Sequence, residues 1–343
     1  QVFTGATTYT AIHVFQQQPH KGAVGVAVVT DLQDGQTQLA DIDSGLKPSG
    51  IGFVRFAANA PQDGKPWTFQ SVADEAWCRE VSAEHPRLTD IAPDIFVGLQ
   101  TSADTVFVFE DFKEGKRTTD VKSLELEKRV ELENELLRPV VRSGEIGRHW
   151  ANATARVLFP YTVEKGRAKI VPPKEMEKAY PLAWAYLKAN EKLLRGRESG
   201  KFDHEEWYQF GRNQSLTKWD GAKVMVPYMI TDLSAFYDVD DLYFVNVTTG
   251  GFGIRTDRVD MRYLAALLSS KLLDRWFKSQ AGRFHSGYFG ANKQYLENIP
   301  IKLPKTAEDK KRAERIVESV RAIMDAKAAL RQPKLSDRET KQH

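Results

Sequence analysis

Residues 207–214 read WYQFGRNQ: three aromatic rings, a glycine, an arginine fork and three side-chain amides within eight positions. Large rings stabilise a fold by burial, whereas guanidinium and amide edges are kept at a surface. The stretch therefore reads as a polar rim anchored on aromatic packing, with Trp207 and Phe210 expected in the core. Tyr208 fits either place, since its hydroxyl can reach outward. The neighbours decide the fold class. Upstream, PLAWAYLKANEKLLRGR (181–197) opens on a proline and repeats Leu182, Tyr186, Ala189 and Leu193 at helical spacing. Downstream, DLYFVNVTTGGFGIRTD (241–257) sets β-branched and aromatic residues about Gly250-Gly251 and predicts a hairpin. Helix, rim and strands in one run fit an α/β or an α+β domain.

The same reading extends along the chain. TTYTAIHVF (7–15), AVGVAVVTDL (23–32) and GIGFVRFAANA (50–60) predict strands that finish a sheet, and PQDGKP (61–66) predicts a turn or linker. SVADEAWCREV (71–81) has helical spacing, DTVFVFED (104–111) alternates as a strand, and ENELLRPVV (133–141) predicts a short helix stopped by Pro139. DMRYLAALLSSKLLDRWFKS (260–279) predicts one helix capped by Asp260. A last helix over about 306–331 follows from Ala313, Ile316, Val317, Val320, Ile323 and Met324, with a fraying tail behind it.

The chain has 343 residues, 41% hydrophobic and 28% charged, which suits one or two packed domains. Its single cysteine, Cys78, excludes an internal disulfide framework and a multi-cysteine zinc site, and fits a cytoplasmic protein. No run approaches the roughly 18 apolar residues of a membrane span, so no membrane partner is expected. The chain opens in strand-like alternation without an initiator methionine, which predicts a C-terminal piece of a longer protein. Net charge is +3 but unevenly spread: residues 1–120 hold 9 Lys and Arg against 16 Asp and Glu, and residues 251–343 hold 20 against 11. A basic C-terminal third permits an acidic partner, nucleic acid above all, while solvated helix faces account for part of it.

Few motifs of known chemistry are present. The 7 histidines are scattered without ligand spacing, so no metal cofactor is expected. GxGxxG, Walker and GxSxG patterns do not occur, and TTGGFGIR (248–255) lies in the expected hairpin. One alternative is a nuclease: Pro93-Asp94 and then Asp111-Phe112-Lys113 imitate a PD…(D/E)xK centre, in which Asp94 and Asp111 hold Mg²⁺ and Lys113 steadies the attacking water. Solvated charges at a strand end explain the same residues. KSQAGRFHSGYFGANKQYLENIPI (278–301) predicts a glycine-bearing loop able to follow a groove.

Seven blocks then line up in order: DIFVGLQTSADTVFVFED (94–111), LLRPVVRSGEIGRHW (136–150), VLFPY (157–161), AWAYLKANEKLLRGRE (183–198), EWYQFGRNQSL (206–216), AKVMVPYM (222–229) and YLAALLSSKLLDRWFK…YLENIPI (263–301). Together they resemble the C-terminal, TaqI-like specificity domain of gamma-class adenine-N6 DNA methyltransferases of restriction-modification and related phage-defence systems. The opening, QVFTGATTYTAIHVF (1–15), resembles the last motif of that family's methyltransferase domain. By this match Phe3 would stack on a flipped adenine, which needs an apolar face in place of its lost neighbours; a Phe3 that simply packs fits the sequence as well.

The resemblance implies an α+β fold, with a target-recognition domain of strands and packed helices over 61–305. Before it, over 1–60, would stand the last strands of a Rossmann-like methyltransferase sheet; after it, over 306–343, a helix and tail that either packs back or meets a partner subunit. Implied partners are double-stranded DNA, a missing N-terminal methyltransferase domain, and restriction or defence-system subunits. S-adenosylmethionine belongs to the full-length parent, and none is expected on this piece. The family's Asn/Asp-Pro-Pro-Tyr/Phe motif and its glycine-bearing cofactor loop do not occur in the sequence, so this chain alone is not expected to methylate.

Duplex reading needs cations and amides on phosphates for register and paired donors or acceptors on base edges for choice. Arg212 suits a guanine O6/N7 edge or a phosphate, Asn213 and Gln214 suit adenine, and Tyr208 and Lys218 suit phosphates, each good base contact giving about 1–3 kcal/mol of discrimination. In the glycine loop, Arg283, His285, Ser286, Tyr288, Asn292 and Lys293 are the expected DNA contacts. Lys201, Arg142 and Arg148 are further phosphate candidates, and Gly98 and Thr101 are turn makers in the scaffold. A module that docks protein subunits instead of bases is the remaining alternative.

Overall fold

The computed structural model describes residues 23–29, 53–59, 71–282, 284 and 287–331. The expected strand over 7–15, Phe3, the linker at 61–66, Arg283, His285, Ser286 and the tail after 331 lie outside the described residues. The fold is α+β, with helices packed about several small antiparallel sheets. At its start, β1 (Ala23–Val29) and β2 (Phe53–Asn59) pair antiparallel, from Ala23↔Asn59 to Val29↔Phe53.

Helix α1 (Val72–Glu84) begins at Ser71, whose Oγ accepts the Asp74 N–H at 3.1 Å. After the turn α2 (Leu88–Ile91) comes β3 (Asp94–Val97), then a helical turn α3 (Asp104–Phe107) that runs into β4 (Val108–Phe109). The expected strand over 104–111 is thus mostly a helix turn. Thr101 leads into it: its hydroxyl accepts the Ala103 N–H at 3.1 Å and donates to the Asp104 side chain, closing a local turn just before the helix. A three-stranded meander follows, β5 (Phe112–Glu114), β6 (Thr118–Ser123) and β7 (Lys128–Glu133). Next is β8 (Leu137–Val140), where a helix stopped by Pro139 was expected. Pro139 sits within the strand because β8 is an edge in the order β4-β8 about β11 (Ala155–Leu158), where a missing N–H is tolerated; β9 (Ile146–Gly147) and β10 (Trp150–Ala151) form a short ladder between them.

The hairpin β12 (Tyr161–Glu164) and β13 (Arg167–Ile170) leads into α4 (Pro173–Ala179), α5 (Pro181–Ala189) and α6 (Glu191–Gly200). The single helix expected over 181–197 is broken at Asn190, and its buried stripe of Ala183, Tyr186, Leu187 and Leu194 shares only Tyr186 with the one expected; Leu182 and Ala189 are exposed. Then come β14 (Lys223–Pro227), β15 (Met229–Ile230), β16 (Phe236–Asp238) and β17 (Gly251–Arg255). The helix expected over 260–279 is two, α7 (Met261–Leu268), capped by Asp260 as expected, and α8 (Lys271–Gln280), capped by Ser270. The short β18 (Phe289–Gly290) pairs with β15, and α9 (Lys293–Leu296) precedes α10 (Ala307–Arg331).

A four-stranded sheet, β16-β14-β17-β3, is the wall between two hydrophobic cores. Alternation sends Phe96, Met225 and Phe236 into one core and Ile95, Val224, Val226, Phe252 and Ile254 into the other. With both faces covered, all five residues of β14 are buried and the strand reads as an apolar run instead of an alternating one. Gly253 lies opposite Phe96, and a Cβ there would meet the Phe96 ring at 2.3 Å, so the ring occupies the glycine's missing side chain. This corrects the expected hairpin over 241–257: β17 pairs with β14 and β3, whereas Tyr243 and Val245 make isolated parallel bridges to Val140 and Leu99. Gly250 serves close approach, since a Cβ on it would lie 2.8 Å from the Asn246 carbonyl oxygen. Lys223 and Asp238, both fully buried, form an ion pair at this wall. Burial works against charge on each, and Asp238 is compensated further by the Asp240 and Leu242 N–H groups.

Candidate nucleic-acid interface

The rim predicted at 207–214 is held from beneath by an arginine that sequence reasoning passed over. Helical geometry in α6 ends at Arg197 (φ −59°, ψ 146°), and Glu198, Ser199 and Gly200 follow with φ of 47°, 60° and 84°. The Arg197 side chain turns inward and is 7% exposed. It donates to four carbonyls: Leu194 at 2.9 Å, and Thr101, Trp207 and Gln209 at 2.8 Å each. Its guanidinium carbon sits 4.2 Å from the Phe202 ring centroid. Burial lowers its pKa to about 10, which leaves it charged at neutral pH. One planar fork thus joins α6, the 98–105 loop and the rim.

Trp207 and Phe210 are core residues, as expected. Tyr208 is too: its ring is fully buried against Trp184 (5.4 Å, edge to face) and its hydroxyl donates to the Val171 carbonyl, so the expected phosphate contact by Tyr208 is corrected to a structural role. The next residues turn outward. Gly211 N–H donates to Thr101 at 3.0 Å and Arg212 N–H to Gln100 at 3.1 Å, an approach that only glycine permits, since a Cβ at 211 would fall 1.8 Å from the Ser102 hydroxyl. Arg212, Asn213 and Gln214 are then exposed in succession, ended by Ser215 at φ 67°. Arg212 Nη1 donates to Glu198 Oε1 at 2.6 Å, and Asn213 Nδ2 lies 3.4 Å from the Gln209 side-chain oxygen. Lys218 is ion-paired with Asp94.

Beside this rim lies an open cleft of about 430 Å³ lined by residues 100–105 and Asn246. From it a backbone relay leads to the second predicted loop. Asn246 donates to Leu99 at 2.6 Å, Tyr228 donates to Gly250 at 2.9 Å, and Ala291 donates to Tyr228 at 2.8 Å. In the second loop, Phe284 N–H donates to Tyr288 at 2.7 Å, and Phe284, Tyr288 and Asn292 are exposed. Lys293 pairs with Glu297 at 3.6 Å. Arg142 pairs with Glu110, Lys201 with Glu198 at 3.4 Å, and the Arg148 carbonyl accepts from Lys327 at 2.7 Å.

The nuclease arrangement does not form. Asp94 is taken by Lys218, Asp111 pairs with Arg129 at 2.9 Å, and among the described residues no three His, Cys, Asp or Glu side chains gather as a metal site. Asp94 is thus a partly exposed charge of β3, and Asp111 in the β4–β5 turn and Lys113 in β5 are surface charges. Gln100, Ser102, Asn246, Arg197 and Glu198 are the site residues the sequence reading missed. Gln100 and Ser102 lie in the block GLQTSAD, which was read as scaffold, Asn246 is a single amide in the apolar run YFVNV, and Arg197 and Glu198 lay hidden in the charged run LLRGRESGKFDHEE.

An α+β chain with an exposed arginine and amide rim is related by sequence to methyltransferases of type II restriction-modification. It is 24% identical over 310 residues to the type II restriction enzyme and methyltransferase RM.Eco57I of Escherichia coli, covering 85% of this chain and 30% of that protein. It is 22% identical over 260 residues to the type II methyltransferase M.PaeR7I of Pseudomonas aeruginosa, 74% of this chain and 40% of that protein. It is 23% identical over 182 residues to the type II methyltransferase M.BanIII of Aneurinibacillus aneurinilyticus, 51% of this chain and 28% of that protein. The chain thus spans less than half the length of these relatives. No protein-family model matches it. Among the described residues no helix is long and apolar enough to cross a membrane.

Proposed function

We propose that this chain is the sequence-reading part of a site-specific adenine-N6 DNA methyltransferase of a restriction-modification or phage-defence system. On this reading residues 1–60 end the methyltransferase domain, 61–305 read duplex DNA, and 306–343 form a C-terminal helix and tail. The observation that carries it is the rim: Arg212, Asn213 and Gln214 exposed in succession on a backbone that Arg197 holds rigid. Flat donor and acceptor edges in fixed register are what base reading requires, and flexible side chains would lose selectivity to entropy. Asn292, Lys293 and Tyr288 extend the surface, and the basic C-terminal third supplies attraction to phosphates. The likeness to type II methyltransferases gives the reading its context.

Methyl transfer and S-adenosylmethionine belong to the neighbouring domain of the parent enzyme. We assign no residue of this chain to the cofactor, and Phe3 is proposed to stack on the flipped adenine at the junction. The test is a titration of the chain with short randomised duplexes over a salt series. Log affinity should fall linearly with log salt, by about 0.9 per phosphate neutralised, and a selected duplex should outcompete the random pool. Absence of DNA affinity, together with salt-insensitive capture of a defence-system subunit, would favour the protein-docking alternative and refute the proposal.

A further inference from the structure

The side chain facing the rim's arginine is a carboxylate, a group that a polyanion-binding surface has an electrostatic reason to exclude. Glu198 stands at φ 47°, in the left-handed region, with Ser199 at 60° and Gly200 at 84° behind it. Such a conformation is disfavoured for a glutamate by about 1–2 kcal/mol, and it persists only where the surroundings impose it. Here they do: Arg197, one residue earlier, is clamped through four carbonyls. The strained turn delivers Glu198 Oε1 to Arg212 Nη1 at 2.6 Å, and the same nitrogen donates to the Gly211 carbonyl at 2.7 Å. Ser102 Oγ lies 3.5 Å from the same oxygen, and Lys201 Nζ 3.4 Å from Oε2.

With Nη1 committed twice, the plane of the guanidinium is fixed. Its Nε and Nη2 have no hydrogen-bond partner among the described residues, which leaves that edge without a protein acceptor. We infer that Glu198 is a positioning residue for base reading, holding Arg212 so that its Nε and Nη2 edge docks side-on to O6 and N7 of a guanine in the major groove. The inference rests on the DNA-reading function proposed above and deepens it by naming the base and the arginine edge. Guanine presents two adjacent acceptors to the major groove, whereas adenine sets a donor beside N7 and would oppose one of the two N–H groups. A phosphate also accepts from both, but a phosphate contact gains nothing from a carboxylate that repels it.

The experiment is selection of randomised duplexes by this chain, comparing the native protein with Arg212→Ala, Glu198→Ala and Glu198→Gln, with melting temperatures measured on each. The native chain should select a site containing a guanine. Arg212→Ala and Glu198→Ala should each lose preference for it at the same position by about 5- to 150-fold, leaving the other positions unchanged. Glu198→Gln retains the acceptor oxygen and should keep most of that preference while binding all sequences more tightly, because one negative charge is gone. A uniform gain in affinity by Glu198→Ala with guanine preference intact would make Glu198 a counter-ion only and overturn the inference. Uniform loss by Arg212→Ala would make Arg212 a phosphate contact and do the same. Failure of the folded native chain to bind any duplex would instead defeat the reading of the whole domain.

Discussion

Replacing Arg197 by alanine removes the side chain that joins three segments of backbone. Thr101 keeps a second donor, the Gly211 N–H at 3.0 Å, but the Trp207 and Gln209 carbonyls have no other donor among the described residues. A buried acceptor left alone costs about 1–3 kcal/mol, and loss of the cation over Phe202, 4.2 Å from its ring, adds about 0.5–2 kcal/mol. Some relief comes from ending the desolvation of a buried cation, the effect that lowers the Arg197 pKa to about 10. The expected net loss is about 4 kcal/mol, a large share of the roughly 5–15 kcal/mol that holds a domain folded. Urea denaturation followed by tryptophan fluorescence reads this directly, because Trp207 is 2% exposed and shares the clamp. Arg197→Lys should recover less than half, since a compact ammonium with three donors cannot span four carbonyls in one plane. A loss below about 1 kcal/mol for Arg197→Ala, or full stability in Arg197→Lys, would refute the claim that the guanidinium organises the rim.

Other expectations follow from single contacts. Tyr208→Phe should cost about 1 kcal/mol in urea denaturation by losing the hydroxyl's bond to Val171, and should leave any DNA affinity unchanged, which a phosphate-contacting tyrosine would not. Gly253→Ala should destabilise by about 1–3 kcal/mol, because its Cβ would meet the Phe96 ring at 2.3 Å; the double change with Phe96→Leu should recover part of it. Lys223→Met alone should cost about 3–5 kcal/mol by leaving Asp238 buried without its cation, and Lys223→Met with Asp238→Asn should cost less than the sum of the single changes. Asp260 has a folded pKa below its usual 3.8, held there first by the Arg262 side chain and assisted by the α7 N–H groups. A lowered carboxylate pKa stabilises fully above the unfolded value and is lost as pH falls through the folded one, so the urea midpoint should drop below about pH 4, and Asp260→Asn should flatten that drop.

The sequence made local elements legible where caps and apolar spacing agree. Asp260 caps a helix as read, the helical spacing over 71–81 falls in α1, and α10 occupies the predicted span. It misled where tertiary contact overrode local preference. The run 241–257 looked like a hairpin because Gly250-Gly251 has turn chemistry, yet Gly250 and Gly253 are glycines because the Asn246 carbonyl and the Phe96 ring fill the space of a side chain. Pro139 looked like a helix stop and is an edge-strand residue. At the rim, residue types identified Arg212, Asn213 and Gln214 as surface groups and Trp207 and Phe210 as anchors. Nothing in the type of Arg197 or Glu198 distinguished the buried clamp from the exposed carboxylate beside it, since adjacent charged residues diverge only when the backbone leaves the helix between them.

The rim's charges decide what kind of contact it is suited to make. The cations expected to contact DNA carry their own carboxylates: Arg212 and Lys201 share Glu198, Lys218 has Asp94, Lys293 has Glu297 and Arg142 has Glu110. Paired charges of this kind cast little long-range field, and exposed pairs contribute only about 0–1 kcal/mol to folding. A nucleic-acid acceptor therefore gains little from such pairs by charge alone, and at Arg212 it would have to match the Nε and Nη2 donors that Glu198 leaves open. On the proposed reading, long-range attraction would fall instead to the C-terminal third, with 20 Lys and Arg against 11 Asp and Glu. Separating attraction from selection in this way keeps a reading surface from adhering to every duplex, because discrimination depends on the difference between matched and mismatched edges rather than on total charge.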